Sequence, residues 1–371
     1  MSAKSERWTS PCLLAVSAVF FMLCLPGVVW GKWYILTAAL PNTIYVIDTD
    51  TDKVIKTIPL DGRGPIFAVT PNPAHPQFAY TVTNLNQSVA IVDVDEGKEV
   101  FRFNLASDNE LVRTMAIDVN PQGDRLYIHE MALKKELGRY ELLQPRLRVI
   151  NLDTNEIVKV FPAPRQILSL ASSQDGKRLY AFSVGGDVSV LDPEKGQVVD
   201  TIPMAANWQV TGMSRVDGLP LWNPYQENDY VASFAVVAAD TITGNSTQGI
   251  AYLDLKQAVP DLQVVELQPY EAAWWAAQGV ASLKTQKAYF GWDKLWKIDM
   301  KTRKLEKVAP FDANTHFASF LHPEGKKIYC GGNWSYISVF DAETLEPMSK
   351  IDLGHSQAGA GLRFVQSERG F

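Results

Sequence analysis

Short runs of apolar residues that end in an aspartate recur along the whole chain. Seven such runs occur, and consecutive copies start 39 to 62 residues apart. Their shortness and their content of β-branched residues are typical of buried strands rather than of helices. The seven runs are 44–48 (IYVID), 89–93 (VAIVD), 149–153 (VINLD), 188–192 (VSVLD), 250–254 (IAYLD), 295–299 (LWKID) and 337–341 (ISVFD).

The residues around each run also repeat. A polar turn and a β-rich segment follow each aspartate, whose carboxylate suits the first turn position because it can accept a backbone N–H. Upstream, several runs are preceded by a short apolar segment, then a polar turn and an aromatic strand. This upstream pattern is clearest in 121–127 (PQGDRLY), 173–180 (SQDGKRLY) and 323–329 (PEGKKIY). Each unit is therefore predicted to contain four short strands.

Seven four-stranded units of this length are typical of a β-propeller. We predict that residues 32–371 form an all-β, seven-bladed β-propeller of four-stranded blades. The first unit lacks its first strand, whereas the C-terminal segment 361–366 (GLRFVQ) belongs to no unit. We expect this C-terminal strand to complete the first blade, because that pairing leaves no open sheet edge. The stretches 129–144, 208–228 and 240–248 exceed the repeat and are predicted to form loops, where function usually lies.

The first 31 residues differ from the repeats. Lys4 and Arg7 precede an apolar stretch at 12–25, Pro26 breaks it, and Val29 and Gly31 provide small residues for cleavage. This order is typical of a secretory signal peptide, so residues 1–31 are predicted to direct export to the periplasm. The alternative is an uncleaved anchor helix, because the stretch approaches the length needed to span a bilayer.

Composition excludes several classes of protein. The 371 residues are 46% hydrophobic, which provides enough apolar surface for a folded core. The net charge of −6 argues against nucleic acid as a partner, since no basic excess is present to neutralise phosphates. Of the three cysteines, only Cys330 lies outside the predicted signal peptide, so we expect a buried thiol and no intrachain disulfide.

No sequence motif identifies a catalytic or metal-binding set. The five histidines do not form closely spaced pairs, and the chain contains no Cys-x-x-Cys-His haem attachment motif. The run Asp48-x-Asp50-x-Asp52 resembles the start of an EF-hand loop, but Lys53 stands where glycine is required. We therefore predict no catalytic residue, no metal ligand and no cofactor in this chain, although a propeller can assemble a metal site from residues distant in sequence.

Tryptophan is abundant, and most of the ten residues lie in the later units. Two interpretations remain open, which are packing between blades and an apolar docking face or pocket lining. Trp274 and Trp275 are adjacent, so on a strand they would point to opposite faces.

Several segments resemble a known family. The pair 80–84 (YTVTN) and 89–93 resembles the YVTN class of exported propellers. The segments 144–149 (QPRLRV), 160–166 (VFPAPRQ), 328–332 (IYCGG) and 339–346 (VFDAETLE) resemble the β subunit of quinohemoprotein amine dehydrogenase. The resemblance extends over essentially residues 32–371, and the Pro-Arg pairs are its most distinctive part.

This resemblance implies a periplasmic heterotrimer that oxidatively deaminates primary amines to aldehyde and ammonia. A dihaem cytochrome c subunit would hold haem c, and a small quinone-bearing subunit would hold cysteine tryptophylquinone. Electrons would pass from the quinone to the haems and then to a soluble electron acceptor. The propeller would be the scaffold for both subunits and would line part of the substrate pocket.

Other functions also fit the repeats. The chain could be the heavy chain of a tryptophan tryptophylquinone amine dehydrogenase, a non-enzymatic exported binding propeller, or a metal-dependent propeller hydrolase. If the chain lines a substrate pocket, the candidate contact residues are Arg165, Gln166, Trp208 and Trp334, which are expected near blade ends or in loops.

Overall fold

The computed structural model describes residues 31–371 except 67, 223, 268–277, 314, 315, 317 and 358–360. Strands dominate the described residues, and one short helix, Met204–Asn207, is present among them. The strands form seven antiparallel sheets arranged as a ring of blades. The predicted all-β, seven-bladed propeller is confirmed, whereas the predicted signal peptide lies almost wholly outside the described residues.

Each blade contains four strands, which follow one another from the channel outward. Blade 1 consists of Leu362–Ser367, Lys32–Ala39, Thr43–Asp48 and Lys53–Pro59; blade 2 of Val69–Pro71, Phe78–Thr83, Ser88–Asp93 and Lys98–Asn104; blade 3 of Ile117–Val119, Arg125–Glu136, Arg146–Asn151 and Glu156–Pro162; blade 4 of Ile167–Ser172, Leu179–Ser183, Val188–Asp192 and Gln197–Ile202. Blade 5 consists of Arg215–Leu219, Val231–Ala239, Ser246–Asp254 and Gln263–Leu267; blade 6 of Gly279–Ser282, Lys287–Gly291, Lys294–Asp299 and Lys304–Pro310; blade 7 of Ala318–Leu321, Lys327–Gly331, Tyr336–Asp341 and Pro347–Asp352.

The C-terminal strand closes the ring as the sequence predicts. It pairs antiparallel with the first strand of the N-terminal unit, in a register that places Lys32 opposite Ser367 and Thr37 opposite Leu362. A second contact stabilises the same seam, because Asp52 of blade 1 accepts hydrogen bonds from Lys327, Tyr329 and Ser349 of blade 7. The two chain ends therefore hold one blade together.

The hydrophobic core lies between neighbouring blades. Successive residues of a strand point to opposite sides of the blade, so each blade contributes one side to the core on its left and the other to the core on its right. Between blades 4 and 5, for example, the rings of Phe182 and Phe234 meet edge to face at 5.6 Å. The outer strands face solvent on most positions, as in Gln197–Ile202.

The ring has two faces. The lower face carries the turns between the first and second strands of each blade and the turns between the third and fourth strands. The upper face carries the turns between second and third strands and the connections between blades.

The repeated aspartate acts at its turn as predicted in six blades. In blade 1, for example, Asp48 Oδ1 accepts the backbone N–H of Asp50 at 2.8 Å. In blade 3 the predicted residue is wrong, because Asn151 rather than Asp153 takes this role and accepts the N–H of Asp153 at 2.8 Å. Asn151 pairs with Glu156 as Asp48 pairs with Lys53, so the repeat in blade 3 ends two residues earlier than the sequence pattern suggested.

The three long insertions do not remain simple loops. The stretch 129–144 lengthens the second strand of blade 3 and adds the strand Arg139–Leu142. The lengthened part also pairs with Glu110–Arg113, from the connection between blades 2 and 3. The stretch 240–248 is the tip of a long hairpin in blade 5. The stretch 208–228 provides the first strand of blade 5 and then leaves the blade to enter the channel.

Candidate functional site

A segment of blade 5, described at residues 220–222 and 224–230, fills much of the central channel, and we call it the axial plug. The first strand of blade 5 ends at Leu219, opposite the middle of the nine-residue second strand. Pro220 and Pro224 follow, and proline cannot donate the hydrogen bond that continuation of the strand would need. The chain therefore leaves the sheet at this point and returns only at Val231.

Trp222 places the upper part of the axial plug against the opposite side of the ring. Its side chain is 5% exposed and packs with core residues of blades 7 and 1, among them Phe320 and Phe364. A Cβ at Gly361 would lie 2.6 Å from the Trp222 ring. Glycine at position 361 is therefore what allows the indole to approach the closing strand this closely.

A buried ion pair joins the lower part of the plug to the closing strand. Arg363 donates from Nε to Glu227 Oε1 at 2.7 Å and from Nη2 to Glu227 Oε2 at 3.3 Å. Both side chains are less than a tenth exposed. Arg363 also contacts Thr70 of blade 2 at 3.4 Å. Such two-point pairing offsets the cost of burying both charges, and removal of either partner leaves the other uncompensated.

Asp118 of blade 3 anchors the plug from the other side. Its carboxylate accepts hydrogen bonds from Ser172 Oγ at 2.6 Å and from Tyr225 Oη at 2.9 Å. Burial raises the pKa of Asp118 to about 7, although these hydrogen bonds and the charge of Arg363 act in the opposite direction. Burial and the neighbouring Asp118 raise the pKa of Tyr225 well above its ordinary value, so the phenol keeps its proton and donates it.

The plug also reaches other blades. Gln226 donates to the Val119 carbonyl of blade 3 at 2.9 Å, and Asn228 donates to the Ala281 carbonyl of blade 6 at 2.8 Å. Above the plug, the described residues line a cavity of about 30 Å³ between the first strands of several blades. This volume is far below that of an ordinary small-molecule pocket.

Among the described residues, three cavities open on the lower face, and two of them are lined in part by the plug. The first, of about 260 Å³, lies between Trp33, Phe364, Tyr230 and the proline-rich turn of blade 2. The others, of about 430 and 460 Å³, meet at Trp33 and His322. Burial lowers the pKa of His322 to about 4, so the imidazole is neutral at pH 7 and packs against Phe364 edge to face.

The four residues proposed from the sequence lie on the upper face. Arg165 and Gln166 are exposed in the connection between blades 3 and 4. Trp208 follows the short helix between blades 4 and 5, where it is 6% exposed and packs in the core. Trp334 is 40% exposed in a turn of blade 7 and stacks on Tyr336 with ring centroids 6.2 Å apart. These positions span three regions of the ring, and none of the four residues lines the cavities beside the plug.

The described tryptophans occur in two settings, and exposure alone does not assign a docking role. Trp208 and Trp222 are core residues, whereas Trp334 forms an exposed aromatic surface. Trp274 and Trp275 lie outside the described residues.

The remaining chemistry-bearing residues are few. Within the described part of the chain, no group of three or more histidine, cysteine, aspartate or glutamate side chains could hold a metal ion. Cys330 is fully buried, and burial raises the pKa of its thiol to about 12, as expected for an unreactive cysteine. No helix among these residues is long and apolar enough to cross a membrane.

Sequence reasoning did not find the axial plug. Its strongest contacts join residues more than a hundred positions apart, as with Tyr225 and Asp118. The signal in the sequence was the pair Pro220 and Pro224 on either side of Trp222, inside an insertion. Two prolines at this spacing indicate that a strand ends, but they do not indicate that the following residues enter the channel.

Comparison with known proteins supports the fold. No protein-family model and no curated protein matches the sequence. Among solved structures, hydrazine synthase of Kuenenia stuttgartiensis matches with a TM-score of 0.59 and 16% identity over 82% of this chain and 90% of that chain. A functionally unknown protein from Desulfotomaculum acetoxidans matches with a TM-score of 0.57 and 12% identity over 91% and 99% of the two chains. The dihydro-heme d1 dehydrogenase NirN, in complex with DHE, matches with a TM-score of 0.54 and 12% identity over 89% and 74%. At these identities the likeness concerns the propeller fold alone.

Proposed function

We propose that this chain is the propeller subunit of a periplasmic amine dehydrogenase complex of the quinohemoprotein type. The complex would oxidatively deaminate primary amines to aldehyde and ammonia. In this role the chain contributes no catalytic residue. It holds a dihaem cytochrome c subunit and a small subunit bearing cysteine tryptophylquinone, and it lines part of the substrate pocket.

The observation that carries this proposal is the closed and internally filled ring. The closing strand and the axial plug join the blades to one another, and the cavity that the described residues line above the plug has a volume of only about 30 Å³. A ring built in this way presents two rigid faces on which other chains can be placed reproducibly. The segments that resemble the amine dehydrogenase β subunit provide the identity of those chains.

The solved structures of similar fold are compatible with such a role. Two of them carry the names of a hydrazine synthase and a dihydro-heme d1 dehydrogenase. These names associate the propeller with nitrogen and haem chemistry in other proteins, and they support the proposal of a scaffold in a redox complex.

The experiment is purification of the tagged full chain from the periplasm of its native host, followed by haem staining and quinone redox-cycling staining after denaturing electrophoresis. We expect a haem-stained subunit and a small quinone-stained subunit to accompany the chain in constant proportion. A quinone-stained partner without haem would replace the proposal by the tryptophan tryptophylquinone assembly. A colourless chain without either partner would refute both.

A further inference from the structure

Blade 3 carries a small sheet that rises above the upper face, and we call it the overhang sheet. The second strand of blade 3, Arg125–Glu136, has twelve residues, whereas its counterpart in blade 4, Leu179–Ser183, has five. The extra length pairs with Glu110–Arg113 on one side and with Arg139–Leu142 on the other. Blade 4 has no strand of comparable height beside it.

The two faces of the overhang sheet have different neighbours. Ile128 and Ala132 pack in the core between blades 2 and 3, whereas Tyr127 packs in the core between blades 3 and 4. Because side chains alternate along a strand, the odd-numbered residues above Tyr127 continue the side that faces blade 4. We call this side the overhang face. It consists of the cross-strand rows Leu111–Leu133–Leu142, Arg113–Met131 and Lys135–Tyr140.

Charge is segregated between these two faces. Every acidic residue of the overhang sheet lies on the other face, where Glu136 pairs with Lys134 and Arg139. The overhang face carries apolar side chains and two cations. Tyr140 and Leu142 on this face are 67% and 60% exposed.

The cations on this surface lack carboxylate partners within the described residues. Arg113 forms no ion pair there, and the Lys135 ammonium donates only to the Ser107 carbonyl at 3.3 Å. Arg165, in the adjoining connection to blade 4, is likewise exposed and without an ion pair in that part of the chain. Three such cations beside exposed apolar residues stand out in a chain whose net charge is −6.

The overhang face is too small to bind a partner alone. Three strands about 4.8 Å apart and four residues long cover roughly 200 Å², whereas a stable interface buries about 800 Å² on each partner. A chain that contacts this face must therefore also extend over the upper face of blade 4, where Arg165 lies.

We propose that the overhang face and the adjoining Arg165 form a docking surface for an acidic segment of another protein chain. The partner segment packs apolar side chains on Leu133, Tyr140 and Leu142 and places carboxylates near Arg113 and Lys135. Apolar contact supplies most of the affinity, and the opposite charges set orientation and association rate. This inference rests on the proposed scaffold function only in that a partner chain exists, and it requires nothing of the partner's cofactors.

The test is site-specific photo-crosslinking of the full chain in its native host. A benzophenone amino acid replaces Tyr140 on the overhang face or, as a control, Val158, which is 50% exposed on the outer strand of the same blade. We expect a discrete crosslink from position 140 to an acidic segment of another protein, identified by peptide mass spectrometry, and little crosslinking from position 158.

Charge reversal then separates the two faces of the overhang sheet. Arg113→Glu with Lys135→Glu is expected to lower the crosslink yield about ten-fold or more, since like charges then face each other. The matched control, Lys134→Glu with Arg139→Glu, reverses two cations on the opposite face and is expected to leave the yield within about two-fold. Thermal unfolding of each variant shows that the ring is intact.

Each other outcome is decisive. Equal yields from positions 140 and 158, an unchanged yield after reversal of Arg113 and Lys135, or a crosslink to a second copy of this chain overturns the inference. Haem and quinone subunits that co-purify without any crosslink at position 140 refute this surface and leave the proposed function standing. A crosslinked acidic partner, in a complex from which haem-bearing and quinone-bearing chains are both absent, supports the surface and refutes the proposed function.

Discussion

The substitution Glu227→Gln tests whether the axial plug holds the ring together. It keeps the size of the side chain but leaves the Arg363 guanidinium, which is less than a tenth exposed, without its counter-charge. Breaking a buried ion pair in this way typically costs about 3–5 kcal/mol. For a ring of roughly 340 residues the entropy of unfolding is about 0.7 kcal/mol per kelvin, so this loss corresponds to a decrease of about 4–7 °C in Tm.

The assay is urea and thermal unfolding of the purified chain at pH 7, with Asp229→Asn as the matched control. Asp229 lies two residues along the same plug and pairs with Lys256, but its side chain is 57% exposed. Loss of this exposed pair is expected to cost no more than about 1 kcal/mol. The double variant Glu227→Gln with Arg363→Leu should recover part of the loss, because no unpaired charge remains. Equal, small effects of Glu227→Gln and Asp229→Asn would refute the claim that the ion pair fixes the plug to the closing strand.

Three further predictions concern other parts of the ring. Burial raises the pKa of Asp118 to about 7, so the fold favours the neutral form of this side chain. The contribution of Asp118 to the free energy of unfolding is therefore fully present below its pKa in the unfolded chain and is lost as pH rises through 7. Asp118→Asn should therefore gain unfolding free energy relative to the natural chain between pH 5 and pH 8, by about 3 kcal/mol, and a constant difference over that range would contradict the burial argument. Gly361→Ala should lower Tm, because the new Cβ would lie 2.6 Å from the Trp222 ring, and an unchanged Tm would show that the indole can withdraw without cost. Cys330 should react with a thiol reagent only as fast as the chain unfolds, since the side chain is fully buried; rapid labelling of the native protein at pH 8 would contradict its placement.

The repeat structure made the fold predictable from sequence. Each blade is specified by local signals, namely alternation with period two and a polar residue that accepts backbone N–H groups at its turn. The closing strand was also predictable. The first blade lacked its first strand, and the C-terminal strand belonged to no blade, so pairing the two was the simplest way to leave no open sheet edge. The error at Asp153 arose where Asn151 performs the same turn role, since amide and carboxylate oxygens both accept the hydrogen bond.

The candidate site was less predictable, because its contacts are not local. Arg363 meets Glu227 from 136 residues away, and no spacing rule relates two such positions. Trp208 was proposed as a pocket residue, yet its side chain is 6% exposed in the core between blades 4 and 5. Sequence reasoning identified 208–228 as an insertion. It did not show that part of this insertion enters the channel, because the channel forms only when the whole ring is assembled.

The measurement that tests the central claim most directly is native mass spectrometry of the tagged full chain purified from the periplasm of its native host. We predict a complex in which the propeller is joined by two further chains, one carrying two haem groups and one carrying a quinone. Dissociation of that complex should release a propeller subunit whose own mass includes neither group. A propeller that is detected as a lone chain, or that itself carries the redox group, would contradict the claim that this chain is a scaffold for chemistry located on other subunits.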